Sequence, residues 1–350
     1  MRINNRPIGA DHPPYIIAEV SANHGGSLER ALQTLDAAKA AGADAVKIQS
    51  YTAASMTIRS DRPEFQIEGG LWAGRSLYEL YEEAHTPYAW HGALFDHARA
   101  IGLTLFSTPF DEAAVAMLED LGAPAYKIAS FELTDLGLIR AAAATGKALI
   151  LSTGLADESE IAQALEAAKR AASVLLLHCI SAYPAPLSEA NLRSIPYLAE
   201  RFKVPVGLSD HTLGSVAAQG AVALGAVAIE KHFTLDRTLG GPDSAFSAEP
   251  EELAALKRAC DALHGALGQK ALIRPEAEAD NRRFRRSLYV VVPVKKGERF
   301  SPKNLRRIRP GLGLSAALYE RVLGREATRD IAPGEALCES MIDGGENLIK

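Results

Sequence analysis

The chain has 350 residues, a formal net charge of −5 and 47% hydrophobic residues, enough for one large core and a smaller one. Its mild acidity excludes a basic surface that would draw nucleic acid or anionic lipid, local clusters such as RRFRR at 282–286 notwithstanding. Three scattered cysteines (Cys179, Cys260, Cys338) exclude a disulfide framework or a CxxC metal knuckle and fit a reducing compartment. No run of about 18 apolar residues is present to span a membrane, and the polar, Pro-rich start MRINNRPIGADHPP has no signal-peptide pattern. A cytoplasmic globular protein is the expectation.

In chain order, short β-type apolar runs stand at 15–20 (YIIAEV), 45–50 (AVKIQS), 103–107 (LTLFS), 126–130 (YKIAS), 148–152 (ALILS), 174–179 (VLLLHC), 204–208 (VPVGL) and 227–231 (VAIEK). Most are separated by Ala-rich segments of helical composition, such as LERALQTLDAAKAAG and ESEIAQALEAAKRAA. Nearly continuous apolar strands alternating with helices predict a parallel sheet covered on both faces. Eight such units in about 250 residues point to an α/β protein of the (β/α)8 TIM-barrel class. An open doubly wound sheet is the competing architecture, but no GxGxxG follows the first strand. The fragments AAGADAVKIQ, DLGAPAYKIAS and ALGAVAIEKHF echo one another as helix end, glycine, strand and then lysine. The glycine suits a helix C-cap, where positive φ is needed.

The long segment 52–90 between the second and third strands reads as an insertion that shapes substrate access. The pattern changes after about residue 265, where LIRPEAEADNRRFRRS is polar and without apolar period. The expected organisation is a barrel over 1–270, a linker over 271–286 and a small domain over 287–350. At roughly 60 residues that domain is near the size where independent stability becomes marginal.

In a (β/α)8 barrel the site forms at the C-terminal ends of the strands. Here all eight ends carry polar groups, from Glu19, Asn23 and His24 at the first to Glu230, Lys231 and His232 at the last. Serines and lysines there can simply cap helices or meet water, but a full set points to a catalytic rim. His211 and His232 close neighbouring strands, and two imidazoles leaving open positions suit a catalytic Mn²⁺, Fe²⁺, Co²⁺ or Zn²⁺. Spacing alone leaves a hydrogen-bonded or acid–base histidine pair equally open. His178, inside an apolar run, reads as a core histidine, Asp210 as a loop cap or a metal ligand's partner, and His24 as a loop or site residue. Lys47, Lys127 and Lys231 fall at equivalent places and suggest a cationic floor for an anion. Lys47 and Lys127 with Ser130, Ser152 and Ser209 can ring a phosphate and a carboxylate. A Schiff-base lysine, with Lys127 the candidate, is the rival reading.

The motifs IIAEVSANHGG (16–26), AVKIQSY (45–51), FSTPFD (106–111), YKIASFE (126–132), LILSTG (149–154), SAYPAP (181–186), GLSDHT (207–212), IEKHFT (229–234) and GPDSAFS (241–247) resemble, in this order, the sialic acid synthase (N-acetylneuraminate synthase-like) family. RRSLYVV, RIRPGLG and GREATRDIAPGEAL resemble its C-terminal antifreeze-like (SAF) domain, so the resemblance covers nearly the whole chain. Within the family, GLWAGRSLYELYEEAHTP and GGPDSAFSAEP resemble the pseudaminic acid branch. That implies a metal-dependent condensation of phosphoenolpyruvate with 2,4-diacetamido-2,4,6-trideoxy-altrose, releasing phosphate through C–O cleavage. N-acetylneuraminate and legionaminic acid synthases share most of the motifs.

The resemblance also implies roles. His211 and His232 match Mn²⁺ ligands. Lys47, Thr108, Lys127, Ser130, Ser152, Ser181 and Ser209 match phosphoenolpyruvate contacts, with Ser181 standing where sialic acid synthases tend to carry Asn. Glu19 matches an acid beside the metal and its water. Gln49, Glu132, Tyr183 and Asp243 match contacts to the acetamido sugar. Arg309 matches a tail arginine that reaches a partner subunit's site in a domain-swapped homodimer. A pyruvate aldolase and a non-catalytic carbohydrate-binding protein are the alternatives from other classes.

Overall fold

The computed structural model describes residues 1–348. The chain divides into two compact units, one ending at Gly268 and the other beginning at Gln269. No helix among the described residues is long and apolar enough to cross a membrane.

The first unit is a closed barrel of eight parallel strands. They are β1 (Tyr15–Glu19), β2 (Ala45–Ser50), β3 (Thr104–Pro109), β4 (Ala125–Ile128), β5 (Ala148–Ser152), β6 (Ser173–Cys179), β7 (Val206–Asp210) and β8 (Ala228–His232). Each strand pairs with the next, and β8 closes on β1 with His232 opposite Glu19. Helices return the chain between strands, among them Leu28–Ala40, Tyr88–Ala100, Glu112–Asp120 and Glu158–Ala167, and Pro250–Leu267 follows β8. Their starts follow from local chemistry. Ser27, Asp111, Asp135 and Asp157 each accept a hydrogen bond from a first-turn amide, satisfying donors that the helix leaves open. The echoed glycines behave as expected of C-caps, with φ of 88° at Gly42, 73° at Gly122 and 99° at Gly225.

Side chains alternate across each strand. Outward residues such as Ile16, Val46, Leu105, Leu149, Leu176 and Ile229 pack with the helices in one core. Inward residues make a second core that fills the lower barrel, including Tyr15, Ile17, Phe106, Ile150, Leu175 and Leu177. The N-terminal stretch, to which the sequence assigned no structure, pairs Arg2–Ile3 with Arg6–Pro7. Asn4 and Asn5 turn it with positive φ, a conformation asparagine tolerates. Its Ile3 and Ile8 join the barrel-interior core.

The second unit carries an antiparallel pair, β9 (Ser287–Val290) with β10 (Leu305–Ile308). Its own core gathers Leu288, Val290, Phe300, Leu305, Val322 and Leu337.

Candidate active site

Above the apolar filling, the inward positions of the barrel turn polar. Lys47 reaches Glu19 at 2.7 Å and Glu230 at 3.6 Å, and Lys127 reaches Glu230 at 3.5 Å. All four side chains are at least nine-tenths buried. Ser209 donates to Glu230 at 3.0 Å, and the Thr108 hydroxyl accepts from Lys47 at 3.3 Å. Buried ions persist only when paired and hydrogen-bonded, and this cluster neutralises itself. Burial alone would lower the Lys47 pKa, but Glu19 and Glu230 outweigh it and hold it above its ordinary value. Lys127, with one carboxylate beside it, is lowered by burial. Burial raises Glu19, while Lys127 and Lys47 overcome burial at Glu230 and keep it ionised.

Lys47, Lys127, Ser209 and Glu230 floor a cavity of about 500 Å³ at the barrel mouth. Its walls include Gln49, Ser130, Glu132, Ser152, Ser181, Tyr183, His211, His232 and Asp243. The hydroxyls of Ser130 and Ser181 converge on Gly154, where a Cβ would lie 2.7 Å and 2.2 Å from them. The Ser152 hydroxyl is buried without a hydrogen-bond partner. Two ammonium groups, the open Ser152 hydroxyl and the converging Ser130 and Ser181 hydroxyls form a receptor for an anion. Glu19 and Thr108 stand behind Lys47 and do not line the cavity.

His211 and His232 face each other with ring centroids 5.4 Å apart. His211 Nδ1 lies 2.8 Å from the Ile180 carbonyl, which fixes the proton there and leaves Nε2 bare. His232 is held well below its ordinary pKa by burial first and then by His211, so its imidazole is neutral. Its Nδ1 is buried with no hydrogen-bond partner. Phe246 and Tyr183 pack the rings in place, with Tyr183 4.3 Å from His211 between centroids. No group of three or more His, Cys, Asp or Glu is placed to hold a metal among the described residues. Burial would lower the His211 pKa, but Cys179 outweighs it and holds it above its ordinary value, so a cation would displace its proton on binding. With that proton gone, the two imidazoles fit a divalent cation whose remaining positions would take substrate and water.

Around the outer cavity, Gln49 donates to Ser21 at 2.8 Å. Burial pushes the Glu132 carboxyl up to about 7 and the Asp243 carboxyl up to about 6. Asp243 accepts from the Ala22 amide at 3.4 Å and stands 3.8 Å from His232. Arg309 is exposed on the second unit.

Not every polar strand end faces inward. Lys231 is excluded from the floor, because on β8 it alternates with Glu230 and His232 and points outward. There it binds Asp210 at 2.8 Å and the Thr212 carbonyl at 2.6 Å. Asp210 is accordingly its ion-pair partner and a cap on Thr212. His178 bonds the Ala190 carbonyl, and His24 accepts from the Gly26 amide. Glu230 takes the place on the floor that the sequence reading gave to Lys231. The signal was the spacing from the C-cap glycine: five residues on from Gly42, Gly122 and Gly225 stand Lys47, Lys127 and Glu230. Ser21 and Cys179 are two further cavity residues without an assigned role. Burial raises the Cys179 thiol, but His211, Ser130 and Lys127 outweigh it and bring it to about 7.

Residues 34–271 match the NeuB family and residues 285–343 match the SAF domain. The chain belongs to the NeuB family. It is 46% identical to the pseudaminic acid synthase of Campylobacter jejuni strain 81-176, over 97% of this chain and 99% of the relative. It is 44% identical to the pseudaminic acid synthase of Helicobacter pylori strain 26695, over 91% and 94% of the two chains. Among solved structures, the N-acetylneuraminic acid synthetase of Leptospira borgpetersenii, in complex with citrate, aligns with a TM-score of 0.73 at 36% identity. That alignment covers 80% of this chain and 94% of the other.

Proposed function

We propose that this NeuB-family chain is a pseudaminic acid synthase. It joins phosphoenolpyruvate to 2,4-diacetamido-2,4,6-trideoxy-β-L-altrose and releases pseudaminic acid and phosphate. The observation that carries this reading is the buried floor of Lys47, Lys127 and the unpartnered Ser152 hydroxyl in one cavity with the facing histidines His211 and His232.

Lys47 and Lys127 hold the anionic groups of phosphoenolpyruvate, and Ser130, Ser152, Ser181 and Ser209 supply directional donors. A divalent cation on His211 and His232, with Mn²⁺ our candidate, supplies Lewis-acid polarisation of the acceptor's carbonyl. Gln49, Glu132, Tyr183 and Asp243 orient the open-chain sugar so that its C1 meets C3 of phosphoenolpyruvate. Fixing both reactants removes much of the bimolecular entropy cost. As the C–C bond forms, C2 becomes cationic and a water adds there. Glu19, whose carboxyl burial raises toward a useful base, stands behind the wall and takes up the water's proton through the cavity residue Ser21, whose hydroxyl donates to it at 2.5 Å. That proton balances the one taken by the former aldehyde oxygen. The C2–O bond then breaks, and phosphate leaves with the bridging oxygen.

Six apolar residues on loops around the barrel mouth, Leu71, Phe131, Leu155, Leu187, Leu213 and Leu239, are between 48% and 75% exposed. Such a collar marks an association surface. It supports our reading of a homodimer, in which we assign the partner subunit's Arg309 to the acetamido sugar.

The test is phosphate release from phosphoenolpyruvate and Mn²⁺ with a panel of acetamido sugars, with and without chelator. Release that needs the diacetamido sugar and the metal supports the reading, and a strong preference for N-acetylmannosamine overturns the choice of sugar. A second reading, a Schiff-base aldolase, draws on the lowered pKa of buried Lys127. Borohydride trapping of pyruvate on Lys127 would favour it, and metal dependence would count against it.

A further inference from the structure

The proposed reaction leaves one wall of the cavity without work. The insertion between β2 and β3 lines the outer cavity with Met56, Ile67, Leu71, Trp72, Leu77, Leu80 and Tyr81, a mostly apolar wall in which only the Trp72 indole and the Tyr81 phenol can bond a hydroxyl through their side chains. That indole N–H is already used: it donates to the Pro242 carbonyl at 2.9 Å. Pro242 precedes Asp243, and the Trp72 ring also stands 6.0 Å from Tyr183. Trp72 therefore ties the insertion to the loop of Asp243 and packs it against Tyr183 on the loop after β6, two of the sugar-facing side chains.

The polarity of the cavity orders the acceptor along it. The aldehyde carbon must lie at the deep end, between the lysine floor and the two histidines. The carbon furthest from the aldehyde then reaches outward toward the insertion. A fully hydroxylated hexose would set the hydroxyl on that carbon against the Ile67 and Leu71 side chains, which offer it no partner. A 6-deoxy sugar presents a methyl.

Resting on the synthase reading above, we propose that this insertion is the specificity element for the distal end of the acceptor. Its apolar side chains take the C6 methyl, and Trp72 is the positioning residue that latches the wall to the Asp243 loop. The backbone supports a side-chain reading rather than a folding one. The Ile67 amide donates to the Arg75 carbonyl at 2.9 Å and its carbonyl accepts from Gly74 at 2.8 Å, so the turn does not depend on the isoleucine.

The experiment compares kcat/KM for the diacetamido altrose in its 6-deoxy and 6-hydroxy forms, in wild type and in the Ile67→Asn, Leu71→Asn and Trp72→Phe variants. Leu71 is 51% exposed, so its substitution leaves folding intact. An apolar pocket rejects an added hydroxyl by up to about 100-fold, and the wild type is expected to favour the 6-deoxy sugar on that scale. Ile67→Asn and Leu71→Asn each lower the preference about tenfold. Trp72→Phe raises KM for both sugars alike and leaves KM for phosphoenolpyruvate unchanged. A wild-type ratio near one, or a ratio unmoved in both asparagine variants, overturns the inference while leaving the synthase reading standing. An unchanged sugar KM in Trp72→Phe overturns the latch. A wild type that releases no phosphate with any acetamido sugar overturns both readings together.

Discussion

Replacing Glu230 by Gln isolates the charge balance on which the site depends. Glu230 is the one ion-pair partner of Lys127 within 4 Å among the described residues, whereas Lys47 keeps Glu19 at 2.7 Å. The amide preserves shape and leaves Lys127 as an uncompensated buried ammonium. Breaking a buried pair in this way costs about 3–5 kcal/mol. The cost is capped near about 5 kcal/mol, because at pH 7 the lysine can shed its proton instead. At about 2–4 °C per kcal/mol for a domain of this size, the melting temperature falls by about 10 °C. Phosphoenolpyruvate brings back the missing negative charge, so it stabilises the variant by more degrees than it stabilises the wild type. Thermal unfolding followed by circular dichroism, with and without saturating phosphoenolpyruvate, measures both quantities. A variant that melts within about 2 °C of wild type, or that gains no more from the ligand, refutes the charge-balance argument.

Gly154→Ala places a methyl where the Ser130 and Ser181 hydroxyls converge. Losing donors to a charged ligand should raise KM for phosphoenolpyruvate by about 10–100-fold in steady-state assays; an unchanged KM would remove those hydroxyls from the anion site. Lys231→Met leaves Asp210 buried and unpaired, so urea unfolding should show a loss of about 3–5 kcal/mol, recovered largely by adding Asp210→Asn. KM for phosphoenolpyruvate should stay within about twofold (~0.4 kcal/mol), and a large increase would return Lys231 to the floor. Glu132 titrates at about 7 in the folded chain, pushed up by burial, and at about 4.3 unfolded. Between those values the folded state holds the extra proton, so the group's stabilising contribution is full below the window and lost as pH rises through it. The loss approaches about 1.4 kcal/mol per pH unit. Unfolding free energies of wild type and Glu132→Gln at pH 5 and pH 7 check this, and parallel pH profiles would contradict it.

The barrel was legible because its strands are apolar on both faces and its helices start and stop on ordinary caps, such as Ser27 and Asp157 before and Gly42 and Gly122 after. The site was legible to the extent that period-2 alternation was followed. Lys47 and Gln49 on β2, and Glu230 and His232 on β8, share inward faces by that rule alone. Treating the sheet-end lysines as equivalent lost it at Lys231, one residue out of phase. Other features depend on contacts between segments far apart in sequence. Trp72 on Pro242 and Asn23 on Ser247 have no local pattern that announces them. The pairing of Glu230 with two lysines is likewise a product of barrel closure, since Lys47 and Lys127 stand on β2 and β4.

The central claim is that this site forms a C–C bond from phosphoenolpyruvate and breaks its C–O bond. Mass analysis of both products, using phosphoenolpyruvate carrying ¹⁸O at the bridging position together with Mn²⁺ and the diacetamido altrose, tests it most directly. The account predicts a new nine-carbon acid without label and phosphate that carries all of it. Label retained in the sugar acid, or phosphate released without any new acid, would contradict it.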